Sequence, residues 1–357
     1  MGAASAHLAR IGSFSRPTGG PGVAEARAYC ADVLRRAGFA ITEHSFEYSA
    51  FPASWAMPIA GIVAALAAST LFLARSVPAL TAVAVTVLIL ALGALSVLGR
   101  AGVLDFPFMR RRGVSLEAVR PDAPLPLVWL VAHVDSKWQP VSMIVRVAGI
   151  VCVSVGVVVM FLLALVPRVA SDHVAVAVLI LTWLAAVPLM LSVIGDRNHG
   201  TLDNASGVAA VLEAAQSVLP SVRVGVLITD AEEMALAGAR AWVWSRPPSI
   251  ALNCDSVDDD GPLVTMYSGK RPDALVARLE AAASLASEPV RVRRLIPGVL
   301  TDSVAFANAG WESLTLSRGT ARTLRRIHTS RDTLSSMTGA GIPGAARVLA
   351  ALATELG

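Results

Sequence analysis

Seven residues have the types and placement to do chemistry together: His133, Asp135, Asp203, Glu232, Glu233, Asp255 and His328. His133 and Asp135 close the apolar run "VWLVAHVDS", and Asp203 opens "DNASGV". Glu232 and Glu233 follow "VGVLITDA", Asp255 ends "IALNCDS", and His328 stands in the loop "RRIHTSRDT". Adjacent glutamates are ordinary on a solvated helix. At the end of a buried strand they repel each other and need positive charge against them. Seven Asp, Glu and His residues arriving at one rim are costly unless cations sit among them. Zinc accepts imidazole nitrogen and carboxylate oxygen. Two ions would use two histidines, two terminal carboxylates and one bridging carboxylate, with one more carboxylate free as a base. The sequence supplies that inventory.

The elements around these residues predict how they meet. A helix is expected from about Val23 to Ala37, closed by Gly38, and then a strand over Ile41 to Tyr48. "LPLVWLVAHVDS", "VRVGVLITD" and "SIALNCDSV" read as buried strands, and "GPLVTMYSG" and "ESLTLSR" as further strands. Helices are expected over "DNASGVAAVLEAAQSVL", "RPDALVARLEAAASLA" and 340–356. Strands alternating with helices imply an α/β fold with a mixed, mostly parallel sheet flanked by helices. In such sheets ligands bind beyond the carboxyl ends of the strands.

Composition adds a second component. Of 357 residues, 55% are hydrophobic and 16% charged, against about 25% charged in ordinary soluble proteins. Four uncharged apolar runs, Trp55–Ala74, Val77–Gly99, Val147–Val166 and Val174–Ile194, each have about the 20 residues that cross a bilayer as a helix. Short links pair them into two hairpins, giving an integral membrane protein with four helices and all polar sequence on one side. The expected division is 1–53, 100–140 and 196–357 for the polar domain, with hairpins at 54–99 and 141–195. Arg100, Arg110, Arg111, Arg112, Lys137, Arg146 and Arg197 flank the polar domain, whereas the hairpin tips hold Arg75 and Arg168. That bias places the polar domain in the cytoplasm. The start lacks a charged region leading into an apolar one, so no cleavable signal peptide is expected. The net charge of +4 is too diffuse for a nucleic-acid stripe. Three cysteines without CxxC spacing exclude a disulfide framework or structural zinc module. Arg318, Arg322, Arg325, Arg326 and Arg331 read as a solvated or membrane-facing surface.

The polar portion resembles the M28 zinc aminopeptidases. "AHVDS" is similar to that family's H-x-D motif, "LDNASGVAAVLE" to D-N-x-S-G-x-A, and "DAEEMALAGAR" to E-E-x-x-x-x-G. "NCDSV" is similar to its single Asp after a strand, and "IHTSRDT" to H-T-x-x-D-T, all in the family's order. The resemblance implies a zinc-exopeptidase-like fold binding two zinc ions, with other divalent metals as alternatives. It implies that His133 and Asp255 hold one ion and Glu233 and His328 the other, bridged by Asp203. Asp135 would accept the far N–H of His133 and fix its tautomer. Glu232 would be the general base for hydrolysis of an N-terminal peptide bond.

Two departures stand out. In "TDSVAFANAGWESL", Ser303 replaces the family's usual His and Trp311 its usual Ile. The second hairpin is inserted between Asp135 and Asp203, which leads us to expect a metal centre opening toward the bilayer and a peptide or amide substrate at or near the membrane. Two other readings are a glutaminyl-cyclase-like acyltransferase, with fewer metals, and a catalytically inactive membrane scaffold.

Overall fold

The structure is a computed structural model describing residues 3–75, 83, 86–87, 102–121, 124–166, 171–296 and 299–357. The chain falls into two compact units. One comprises Met1–Tyr48, Arg110–Trp138 and Gly195–Gly357, and the other Ser49–Met109 and Gln139–Ile194.

The first unit is built on a sheet with strand order β1-β2-β4-β3-β5-β8-β6-β7. Its strands are β1 (Ala40–Ser49), β2 (Arg110–Val119), β3 (Val128–His133), β4 (Val224–Thr229), β5 (Ile250–Val257), β6 (Leu263–Tyr267), β7 (Val290–Arg294) and β8 (Glu312–Arg318). The central pairs β4–β3, β3–β5 and β5–β8 are parallel, while β2–β4 and β6–β8 are antiparallel.

β3 and β4 are buried along their whole length, which is why they read as unbroken apolar runs rather than alternating ones. Along β3, Val128, Leu130 and Ala132 enter one core, and Trp129 and Val131 enter the other. The first core receives α1 (Ala3–Ile11), α2 (Pro21–Arg36), α6 (Ser206–Ser217), α8 (Asp273–Leu285) and α11 (Ile342–Leu356). The second receives α7 (Ala237–Val243) and α9 (Asp302–Asn308). Trp311 belongs to this second core, its ring 5.7 Å from Trp242 and 5.3 Å from Phe306. The residue that departs from the family's usual Ile is therefore a packing residue.

Three of the four apolar runs fall on described helices: α3 (Phe51–Ala74), α4 (Met143–Leu165) and α5 (Asp172–Met190). All three are long and apolar enough to cross a membrane. The run Val77–Gly99 lies outside the described residues apart from isolated positions.

The arginine cluster divides. Arg326, near the end of α10 (Ala321–Arg326), donates to buried Asp258 at 3.0 Å and to the Ser336 carbonyl. Arg318 donates to the Gly261 carbonyl and lies 3.8 Å from Glu288. These two hold loops together, so the expected arginine surface is in part internal bracing. All three cysteines are free.

Candidate metal centre

The parallel strands bring their carboxyl ends to one rim. His133 is the last residue of β3 and pairs in register with Thr229, the last residue of β4. Glu232 and Glu233 stand three and four residues past the end of β4, and Asp255 lies near the end of β5. Asp203 sits in the irregular turn before α6, and His328 in the loop after α10.

The side chains converge on Asp203. Its Oδ1 lies 3.1 Å from His133 Nε2, and its Oδ2 lies 3.0 Å from His328 Nε2. One carboxylate thus offers an oxygen to each imidazole, as a bridging ligand must. His328 Nε2 is also 2.9 Å from Glu233 Oε1. His133 Nε2 is 3.9 Å from both Asp255 Oδ1 and Glu232 Oε2. Two groups result, His133–Glu232–Asp255 and Asp203–Glu233–His328, each with ligand atoms within 4.8 Å of one another.

All six residues are buried. His133 Nε2 and Glu233 Oε1 are close to their neighbours but make no hydrogen bond of acceptable geometry to any described residue. Buried polar atoms left unpaired are rare. Two of them, on either side of one carboxylate, suit cations better than they suit each other. The donor set of imidazole nitrogen and carboxylate oxygen fits zinc.

The side chains' own charges show the strain of this crowding. Burial pushes the Glu232 carboxyl well above its ordinary range; His133 opposes this, and Glu233 and Asp255 add to it. Burial acts on Glu233 in the same direction, but His328 and Lys137 overcome it and hold the carboxyl down at about 2. Burial would lower His133, yet the Glu232 charge and the neighbouring carboxylates of Asp135, Asp203 and Asp255 lift it well above the usual imidazole range. Three non-glycine residues here adopt the left-handed region: Ala231 (φ 60°) before the glutamates, Ser256 (φ 59°) after Asp255, and His328 itself (φ 63°). Such strain gathers where the surroundings force a functional geometry.

The sequence motifs have structural reasons. In "DNASG", Asn204 donates from Nδ2 to the Cys254 carbonyl at 3.0 Å, and its Oδ1 accepts from the N–H groups of Gly207 and Ser256. Ser206 Oγ accepts from Val257 N–H at 2.8 Å. The turn carrying Asp203 is thereby stitched to the strand carrying Asp255. A side chain at Gly207 would collide with Asn204 and the Cys254 carbonyl, so only glycine fits.

Asp135 has more partners than the sequence implied. Its carboxylate accepts from the N–H groups of Glu232 and Glu233, both at 3.2 Å, and from Thr18 Oγ1 at 2.7 Å. His133 Nδ1 finds its hydrogen bond at the Asp135 main-chain carbonyl, at 3.2 Å, with Oδ1 farther off at 3.5 Å.

Three residues around the site escaped the sequence reading. Asp332 accepts from the N–H groups of Leu202 and Asp203, at 2.6 and 3.1 Å, and so fixes the backbone that carries the Asp203 carboxylate. Its signal was present as the Asp of "HTSRDT". Arg16, fully buried, donates to the carbonyls of Ile11, Phe14, Val134, His199 and Gly200. It ties the exit of β3 to the segment before Asp203. Lys137 places Nζ 2.5 Å from Glu233 Oε2. Ser303, where the family's usual His is absent, joins a buried hydroxyl network with Thr301 and Thr315.

Comparison with known proteins agrees with this geometry. The family model for peptidase family M28 matches residues 118–353. The chain belongs to that family and is a hydrolase acting on peptide bonds. Its fold is that of an aminopeptidase from Aneurinibacillus sp. strain AM-1, at 12% identity and TM-score 0.60, covering 99% of this chain and 93% of that one. It is similarly that of BSAP, a zinc aminopeptidase from Bacillus subtilis, at 11% identity and TM-score 0.59, covering 99% and 94%. A glutaminyl cyclase from Tannerella forsythia matches at 12% identity and TM-score 0.58, covering 99% and 97%. The search of curated proteins gave no match.

Proposed function

We propose that this chain is a membrane-anchored dizinc aminopeptidase. The observation that carries the reading is the placement of Asp203, one oxygen toward each of two imidazoles and each imidazole grouped with further carboxylates. His133 and Asp255 would hold one ion, Glu233 and His328 the other, and Asp203 would serve both. When bound, such a pair supplies Lewis acidity and lowers the pKa of water.

The remaining steps belong to the chain. Glu232, buried and lacking an assigned ligand role, takes the proton of the attacking water and returns it to the leaving amine. Asp135 keeps Glu232 and Glu233 in place through their main-chain N–H groups. Asp332 does the same for Asp203.

The glutaminyl-cyclase-like reading finds support in one structural likeness, but a complete second ligand group favours two ions and hydrolysis. The inactive-scaffold reading leaves the intact Glu232 and ligand set without a purpose.

The helices α3, α4 and α5 support a bilayer anchor, each presenting apolar residues outward. Among the arginines at the expected hairpin tips, Arg75 is paired with Asp172 at 3.4 Å. The flanking Arg and Lys excess supports a cytoplasmic peptidase unit.

The test is metal analysis of the detergent-purified chain beside turnover of an aminoacyl-amide panel with and without chelator. Two zinc per chain and chelator-sensitive release of the N-terminal residue are expected. One zinc with cyclisation of N-terminal glutamine would favour the cyclase reading, and no zinc the scaffold.

A further inference from the structure

Glu233 is gripped from two directions by one short segment. The chain leaves β3 at His133, and two residues later the Asp135 carboxylate accepts the Glu233 N–H at 3.2 Å. Two residues beyond that, Lys137 Nζ meets Glu233 Oε2 at 2.5 Å. The Lys137 side chain is only 13% exposed, so the contact is shielded from water. The other oxygen, Oε1, faces His328 Nε2 at 2.9 Å and has no hydrogen bond to a described residue. The two oxygens are therefore inequivalent: one is spoken for by an ammonium, the other is left for a ligand.

We propose that Lys137 is a positioning residue that fixes Glu233 as a one-oxygen donor and so sets the metal affinity of the Asp203–Glu233–His328 group. The inference rests on the metal reading above. A free carboxylate rotates about its terminal torsion and can offer either oxygen or both; an ammonium on Oε2 removes that freedom. It also offsets part of the repulsion between Glu233 and Asp203, two buried carboxylates sharing one histidine. Partners one step outside the ligands orient them, and their loss costs about 10–100-fold in metal affinity. The ammonium also repels a dication, and this opposing effect fixes the sign to be tested.

The experiment is zinc titration of the full chain in detergent against a chromophoric chelator. The wild type is compared with Lys137→Met and Lys137→Arg, each also with Asp255→Asn so that the Glu233 group is read alone. Circular dichroism confirms that each variant is folded. Lys137→Met is expected to weaken zinc at this group by about 10–100-fold, and Lys137→Arg to recover most of the loss. Excess zinc should restore the turnover of Lys137→Met with Asp255 intact.

Affinity within twofold of wild type overturns the assignment. Tighter binding also overturns it, showing that repulsion outweighs orientation. Turnover that stays low at saturating zinc would move Lys137 into contact with substrate and end its positioning role. A wild type that binds no zinc sinks the metal centre itself, a result distinct from zinc binding indifferent to Lys137.

Discussion

The two units use apolar residues in opposite ways. In the sheet unit, Leu130, Leu212 and Leu227 have no exposed surface, while the surface carries the charges. In the helical unit, Leu162, Leu181 and Leu184 are more than half exposed, and only 22 to 33% of each helix's most apolar stretch is buried. Where its helices do meet, small residues make the contact. Gly61 and Gly149 lie against Leu189, and Gly156 lies against Thr182. Water drives leucines together in the first unit. If the helical unit lies in lipid, as proposed, that drive is absent there and close packing of small residues takes its place. Polar groups differ as well: the sheet unit buries a cluster of carboxylates and imidazoles, which stability alone does not explain.

The strongest test of that last point is Glu232→Gln. If the buried acid serves reaction chemistry, turnover should fall by about 10²–10⁴ with zinc content and thermal midpoint preserved, read by steady-state kinetics and metal analysis. Loss of zinc along with turnover would make Glu232 a ligand. Next in size is one substitution made in both units. Leu130→Ala should cost about 2–5 kcal/mol, whereas Leu181→Ala should cost no more than about 0.5 kcal/mol, both read from denaturation in detergent. Equal costs would erase the contrast. Gly156→Val should destabilise the helical unit by about 1–3 kcal/mol, because the added carbons collide with Thr182; an unchanged melting profile of that unit would refute the close-packing account.

The smallest effect is on pH. Burial holds His7 below its ordinary pKa of 6.5, against a hydrogen bond with Gln216 that raises it. The unfolded chain therefore binds more protons just below pH 6.5. The His7 contribution to stability is complete above that pH and is lost as pH falls through the lower folded value. His7→Gln should flatten this decline in thermal midpoint between pH 7 and 5; an unchanged slope would remove His7 as its source.

What was legible in the sequence followed burial on both faces. β3, β4 and β5 announced themselves as apolar runs ending in acids or histidine, because a central parallel strand has no solvated face to encode. β2 and β7 were not legible. "RRRGVSLEAV" and "VRVRR" put arginines on exposed positions of strands away from the sheet's centre, and short charged runs carry no clear period. Five of the converging side chains were named from sequence because they lie at or just beyond the end or start of an element, and His328 from its motif in a loop. Arg16 and Lys137 were not, because their partners are far away in the chain: Arg16 reaches His199 and Gly200, and Lys137 reaches Glu233. An isolated cation has no local pattern that distinguishes a brace from a solvated surface charge.

The segments that build the rim arrive at very different times during synthesis. Arg16 emerges first, His133 more than a hundred residues later, and His328 and Asp332 only near the end. Until they do, the growing polypeptide carries Asp203 and Glu233 without the imidazole that later lies against both. Closure of the pocket is consequently a late event, waiting on contacts of long sequence separation, which form slowly because a large loop must first be ordered. If His328 holds a metal as proposed, truncation just ahead of it should leave most of the polypeptide made but unable to cut.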